Sequence, residues 1–380
     1  MESAEILEHL VAFPTVSRDS NLALIEYVRG FLAQRGIPAR LYPDATAPKA
    51  NLYARIGPAE RAGVLLSGHT DVVPVQGQAW STDPFRLTER GGRLYARGAA
   101  DMKGFIACAL RAAERAAARP LREPLELAFS YDEEVGCVGV RSLIADMQHW
   151  ERRPRLCIVG EPTRLATAIA HKGKTSLRAV CRGRAAHSSI PDRGINAIYL
   201  ASAFIGKVRE RQEELVRFGP RDPGYEDPHT TLHVGTILGG SALNVVPAHC
   251  ELELEVRNLP AQEPGLLVGA LRADAAAVAA ASARPAEASI ALEITHEYPA
   301  LETPHDAPVV ELVAALTGHR EPIKVGFGSE AGLYSSCVGV PSVVCGPGSI
   351  DQAHRADEFI EADQLRRCDA MLDALLERLS

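Results

Sequence analysis

The stretch LELAFSYDEEVGC (residues 125–137) runs from a segment that reads as a buried strand straight into three consecutive carboxylates, Asp132, Glu133 and Glu134. Like charges at the end of a buried strand repel one another and lose hydration, so something at that point must offset them. Two other apolar runs end in the same way. Residues 63–67 lead into GHTD with His69 and Asp71, and residues 156–159 lead into GEPT with Glu161. A further strand is expected over 51–56. Apolar residues at helical spacing mark 4–13, 22–35, 102–118 and 138–150, the second ending at Gly36 with Pro38 just beyond. Strands alternating with helices give an α/β fold with a central mixed sheet, in which ligands gather at the carboxyl ends of the strands.

The pattern changes near residue 176. Two strand-like segments, a long helix over 195–216, a Pro/Gly loop (GPRDPGYEDPHTT), two strands over 231–238 and 249–257 and a helix over 263–281 outline a four-stranded, two-helix α+β sandwich. After residue 292 the first pattern resumes, with helices over 307–317 and 362–379 and a strand over 340–345. The reading is therefore one catalytic domain (1–175 and 293–380) interrupted by an inserted domain (176–292), as the length of 380 residues also suggests.

Composition narrows the class. The chain is 46% hydrophobic and 23% charged with a net charge of −7, and its basic residues are scattered, which argues for a small-molecule partner over nucleic acid or an anionic membrane. The N-terminal stretch MESAEILEHLVAFPTV lacks the charge and apolar pattern of a secretory signal, and no run reaches the roughly 20 apolar residues that span a bilayer. The 8 cysteines never form CxxC, and Cys108, Cys157 and Cys345 lie in apolar runs, which fits buried thiols in a reducing, cytoplasmic setting.

The chemistry sits at the strand ends. His69 and Asp71 are two apart, so in extended backbone they point to one side, and a carboxylate beside an imidazole fixes its tautomer. Asp101 in RGAADMKGF stands before a helix, where an N-cap is the commoner role for a single Asp. His354 lies in the polar turn of GPGSIDQAHRADEFI, where a single His is commonly just solvated. Taken together, two His, one Asp and two Glu at separate strand ends or turns form the oxygen-and-nitrogen donor set preferred by zinc, cobalt or manganese. Five ligands with one carboxylate shared suit a hydrolase that uses two ions.

SGHTDVVP, RGAADMKG, SYDEEVGCVG, VGEPT and QAHRADEFI resemble, in order and spacing, the five metal-site motifs of the M20 family of co-catalytic metallopeptidases and amidohydrolases. The resemblance covers essentially the whole chain and implies a zinc-peptidase-like catalytic domain with a ferredoxin-like inserted lid and dimerisation domain. It implies that Asp101 bridges two divalent ions, Zn²⁺ or Co²⁺. His69 and Glu161 would complete one ion, Glu134 and His354 the other. Glu133 would be the general base, with Asp71 orienting His69. In the insertion, GRAAHSS supplies His187, which would stabilise the oxyanion in the active site of a second subunit of a homodimer, while Asn244 of NVVP and Arg257 of EVRNLP are expected near the substrate. The substrate implied is an N-acyl amino acid, first of all N2-acetyl-ornithine. Succinyl-diaminopimelate, acetylcitrulline or a dipeptide are the alternatives.

Bidentate recognition of an α-carboxylate suits Arg257 better than it would a lysine. Glu330 in GFGSEAG (326–332) is an acid beside a glycine-rich turn and is expected at the mouth of the site, facing a substrate ammonium. The same stretch raises an alternative of a different class, a nucleotide- or amino-acid-binding protein. Its glycines fall as GxGxxxG, one residue off the dinucleotide fingerprint.

Overall fold

The computed structural model describes residues 1–380. The chain forms two units, one of Met1–His171, Leu301–Lys324 and Ser329–Ser380, the other of Lys172–Ala300 with Val325–Gly328.

The first unit is built on a mixed sheet whose strands run in the order Ala39–Pro43, Ala50–Ile56, Leu125–Ser130, Val64–His69, Leu156–Pro162, Ser342–Gly346, Ala168–His171 and Leu301–Glu302. The four strands from Leu125–Ser130 to Ser342–Gly346 are mutually parallel, flanked on both sides by antiparallel partners. Every residue of those four strands is buried, which explains why they read as continuous apolar runs without alternation. Helices Ser3–Val11, Gly104–Ala117 and Ala362–Leu379 join the strands in one core. The Gly104–Ala117 helix packs tightly on the sheet at Gly160, where a Cβ would fall 1.9 Å from the Phe105 ring. Only glycine fits at this position, one residue before Glu161.

The second unit is a four-stranded antiparallel sheet in the order Thr231–Gly239, His249–Asn258, Gly173–Arg182, Ser289–Tyr298. Helices Ala197–Phe218 and Pro264–Ala280 form a core with one face of it. The βαββαβ chain order with this strand order is the ferredoxin-like arrangement. Burial alternates along Gly173–Arg182 and His249–Asn258, as expected of a sheet covered on one side. Asn196 caps the first helix, its side chain accepting from the N–H groups of Ile198 (2.9 Å) and Tyr199 (3.3 Å).

The sequence boundaries of 176 and 292 need correction. The inserted unit begins at Lys172 and extends to Ala300. A cut at 292 divides the strand Ser289–Tyr298, which pairs along its length with Gly173–Arg182. A small sheet of Thr88–Arg90, Arg93–Tyr95 and Phe359–Glu361 has no counterpart in the sequence reading, because strands of three residues are too short to show a period.

Candidate metal centre

The four parallel strands deliver side chains to one end of the sheet. His69 is the last residue of Val64–His69, Glu161 lies near the end of Leu156–Pro162, and Glu133 and Glu134 follow Leu125–Ser130 in a turn. His354 comes after Ser342–Gly346. The His69 ring places Nδ1 2.9 Å from the backbone oxygen of Asp71. A carbonyl oxygen can only accept, so Nδ1 is the donor and Nε2 is turned inward. Nε2 lies 3.1 Å from Asp101 Oδ1 and 3.8 Å from Glu161 Oε1. The other oxygen of Asp101, Oδ2, is 3.3 Å from His354 Nε2, which is itself 3.1 Å from Glu134 Oε2.

Asp101 therefore faces two imidazoles with its two oxygens, and the donors fall into two triads, His69–Asp101–Glu161 and Asp101–Glu134–His354, each with its donor atoms within 4.8 Å of one another. The capping reading of Asp101 does not hold, since the helix Gly104–Ala117 starts without a side-chain cap. The residues fit a pair of divalent ions on a further ground: Glu134 Oε1 and Glu161 Oε1 are buried with no hydrogen-bond partner. Buried carboxylate oxygens without partners are costly unless a cation takes that role.

The electrostatics agree. Burial, reinforced by Asp101, Glu133 and Glu134, drives the Glu161 carboxyl well above the usual range despite the pull of His69. Burial and Asp101 push Glu134 up to about 7 against the opposing effect of His354 and His69. Burial, together with Glu134, Glu330 and Asp71, takes Glu133 up to about 8 while His69 pulls the other way. Hydrogen bonds to Asp101 and Glu134 raise His354 to about 10 in spite of partial burial. The cluster carries more negative charge than its own imidazoles offset, and divalent cations reverse that balance.

Asp71 has more than the one expected role. Its carboxylate stands 3.5 Å from His69 Nδ1, farther than its own carbonyl, and accepts instead from the N–H groups of Glu133 (3.1 Å, Oδ1) and Glu134 (3.3 Å, Oδ2) and from Ser17 Oγ (2.7 Å, Oδ2). It thus holds the turn that aims the two glutamates. Asp132, at φ 55°, is anchored by Lys49 Nζ at 2.6 and 2.7 Å, so it supports the same turn. Cys137 is more than a space-filling thiol, as its Sγ donates to Glu133 Oε1 at 3.2 Å.

Glu330 is not at a mouth. It is 1% exposed, accepts a hydrogen bond from Ser67 Oγ (3.3 Å), and is pushed up to about 7, chiefly by burial. The sequence reading fails there because an acid in a glycine-rich turn looks solvent-facing until its neighbours, Ser67 and Tyr334, are known. A pairing with a substrate ammonium is not supported.

In the second unit, exposed His187 pairs in register with Val245, and its Nδ1 lies 2.7 Å from Ser189 Oγ. Asn244 is adjacent, its carbonyl accepting from Ser188 N (3.1 Å). Arg257 is held by Glu255 (3.1 Å) and Tyr298 Oη (2.7 Å) near the far end of the strand His249–Asn258. Eight residues of strand separate Arg257 from His249, a span of roughly 27 Å. Asn244 therefore groups with His187 and not with Arg257. Sequence reasoning missed Arg97, Gln78 and Glu358, which link the backbones around two of the ligands. Arg97 and Glu358 lie inside the quoted motifs RGAADMKG and QAHRADEFI, where one charge of each sign was the available signal, and the structure shows both to be buried.

Two imidazole-and-carboxylate triads sharing one aspartate at the carboxyl ends of parallel strands make this chain a metal-dependent hydrolase. It matches Peptidase family M20/M25/M40 over residues 65–378 and belongs to that family. It is 39% identical over 384 residues to the acetylornithine deacetylase of Myxococcus xanthus, covering 96% of this chain and 94% of the relative. With the acetylornithine deacetylase of Pasteurella multocida it shares 36% identity over 375 residues, 97% and 95% of the two chains. An M20 family metallo-carboxypeptidase of Sulfolobus solfataricus superposes with a TM-score of 0.78 at 19% identity, covering 99% of each chain, which speaks to the fold alone.

Proposed function

We propose that this chain hydrolyses N2-acetyl-L-ornithine to L-ornithine and acetate, as a step of arginine biosynthesis, and works as a cytoplasmic homodimer with two Zn²⁺ or Co²⁺ ions per subunit. The observation that carries the substrate is near-full-length similarity, at 36–39% identity, to relatives named for that activity. The paired triads with Glu133 beside them support the reaction type.

His69, Asp101 and Glu161 would hold one ion, and Asp101, Glu134 and His354 the other. When bound, the pair supplies Lewis acidity toward the amide carbonyl and acidifies a water. Glu133 takes a proton from that water as its oxygen bonds to the acyl carbon. The same carboxyl then gives the proton to the amide nitrogen as the C–N bond breaks, releasing acetate and the free amine. Asp71 holds Glu133 in place by its backbone, and Cys137 orients the carboxylate. Arg257 would bind the α-carboxylate of the substrate.

His187 and Asn244 sit at the small two-stranded pairing of Ala186–His187 with Val245–Val246, just before the start of the strand His249–Asn258, and Arg257 stands near that strand's other end. That separation is too long for both to meet one small substrate within a single chain, which supports a role for His187 in the site of a second copy. The edge strand Thr231–Gly239 supports the homodimer, with Ile237 53% and Leu238 78% exposed on it. No helix is long and apolar enough to cross a membrane.

The test is a panel of N-acyl amino acids offered to metal-stripped protein and again after zinc or cobalt is added. Acetate release from acetylornithine, restored by metal and exceeding that from the other substrates, is the expected result. Turnover without metal, or a clear preference for a succinylated or dipeptide substrate, overturns the assignment. A monomerised, metal-loaded variant with full kcat would remove His187 from the mechanism.

A further inference from the structure

Arg97 and Glu358 are each 1% exposed and form an ion pair, Nη1 to Oε2, at 2.6 Å. Buried ion pairs contribute little net stability compared with apolar residues of the same size, so the groups the pair touches say more about its use. Its other oxygen, Oε1, accepts from the N–H of Ala100 (2.9 Å) and of Asp101 (3.1 Å). The second arm of Arg97 donates to Gln78 Oε1 at 2.7 Å, and Gln78 Nε2 donates to the carbonyl of His354 at 3.0 Å. The chain from His354 to Glu358 closes the loop.

The resulting ring runs from the backbone of Asp101 through Glu358, Arg97 and Gln78 to the backbone of His354. Both residues at its ends belong to the triad Asp101–Glu134–His354; Asp101 is shared with the other triad, so the end specific to this one is His354, and the ring makes no bond to Glu161 or His69. His354 needs such support. It has φ 62°, a left-handed conformation that a non-glycine residue keeps only where its surroundings hold it. Its side chain is 52% exposed, so packing around the ring cannot do this alone.

We propose that Gln78, Arg97 and Glu358 are positioning residues that fix the spacing of Asp101 and His354 and thereby set the affinity of the second metal ion, leaving the ion at His69 and Glu161 little affected. The proposal rests on the two-ion reading of the centre. None of the three residues belongs to either donor triad.

The experiment titrates Zn²⁺ into metal-stripped full-length protein against a competing chelator, for the wild type and for Gln78→Ala, Gln78→Glu and Glu358→Gln. The wild type is expected to take up two ions. Gln78→Ala should weaken the second ion about 10-fold and leave the first unchanged, in line with the 10–100-fold losses typical of groups that orient ligands. Gln78→Glu keeps the acceptor for Arg97 but cannot donate to the His354 carbonyl, so it should weaken the second ion as well. A role in fold alone would leave it like the wild type. Glu358→Gln should lose the second ion more severely, and excess Zn²⁺ should restore turnover in all three variants. Two unchanged affinities in Gln78→Ala and Gln78→Glu, or equal weakening of both ions, overturns the proposal. A wild type that binds fewer than two ions overturns the two-ion reading itself, a result distinguishable because it appears before any substitution.

Discussion

The two triads of the centre have the same kinds of donor and share Asp101, yet they are built differently. His69, Asp101 and Glu161 are all buried, with His69 and Glu161 on parallel strands of a fully buried sheet. Glu134 and His354 stand on turns, the Glu134 side chain buried at 8% exposed and that of His354 52% exposed. Strand-borne ligands inherit the rigidity of the sheet and of the core beneath it, whereas turn-borne ligands depend on hydrogen bonds to their backbone. One ion should therefore be held by packing and the other by a hydrogen-bond ring, with different exchange rates as the consequence.

Removing the residue that the triads share should have the largest effect. Asp101→Ala should lose both ions and abolish turnover, measured by metal analysis after dialysis alongside acetate release. A variant retaining either ion at wild-type affinity would show that the triads are not joined there. Glu133→Gln should keep both ions and lower kcat by about 10²–10⁴-fold, the usual range for a general base. Loss of metal in that variant would make Glu133 a ligand.

Single-triad changes sharpen the contrast. His354→Ala should leave about one ion per chain, and His69→Ala should weaken the other. Equal stoichiometry in the two variants would erase the distinction between them.

Proton linkage gives a smaller effect of definite sign. In the metal-free centre, hydrogen bonds to Asp101 and Glu134 raise His354 to about 10, and burial lifts Glu134 to about 7. Both must lose protons before they can ligate. Binding at pH 7 should therefore release protons, and affinity should rise between pH 6 and pH 8. Calorimetry in two buffers of different ionisation enthalpy measures the release, and proton uptake would contradict the assignment.

The smallest effect concerns stability. Gly160→Ala should lower thermal stability by about 1–3 kcal/mol through overlap with Phe105. Arg355→Ala, on the exposed turn beside His354, should stay within about 0.5 kcal/mol. Comparable melting shifts in the two variants would deny that packing supports only the first triad.

Much of the site was legible because its ligands lie where an apolar run stops, and a run of buried strand is a local pattern. The two periods, continuous runs in one unit and alternation in the other, likewise separated the two sheets. The domain limit near 292 was not legible. Which sheet SIALEITHEY joins depends on its pairing with residues more than a hundred positions earlier. Asp71 was read for the His two residues before it, and its bonds to Glu133 and Glu134, across 62 and 63 positions, lay beyond any local pattern. Glu330 was misread for the same reason, since burial is a property of neighbours.

The sequence by itself determined the α/β class, the presence of an inserted α+β unit of four strands and two helices, and the residues that meet at the centre, since strand ends, turns and periodicity are written in adjacent residues. That the fourth strand of the insertion follows its second helix, giving the order βαββαβ, emerged only from the pairing of Ser289–Tyr298. Tertiary structure decided which oxygen of Asp101 faces which imidazole, that Glu330 is buried, and that Arg97 and Glu358 stand between two ligands 253 positions apart. Those are relations between segments remote in the chain, fixed only when the parallel strands bring their carboxyl ends together.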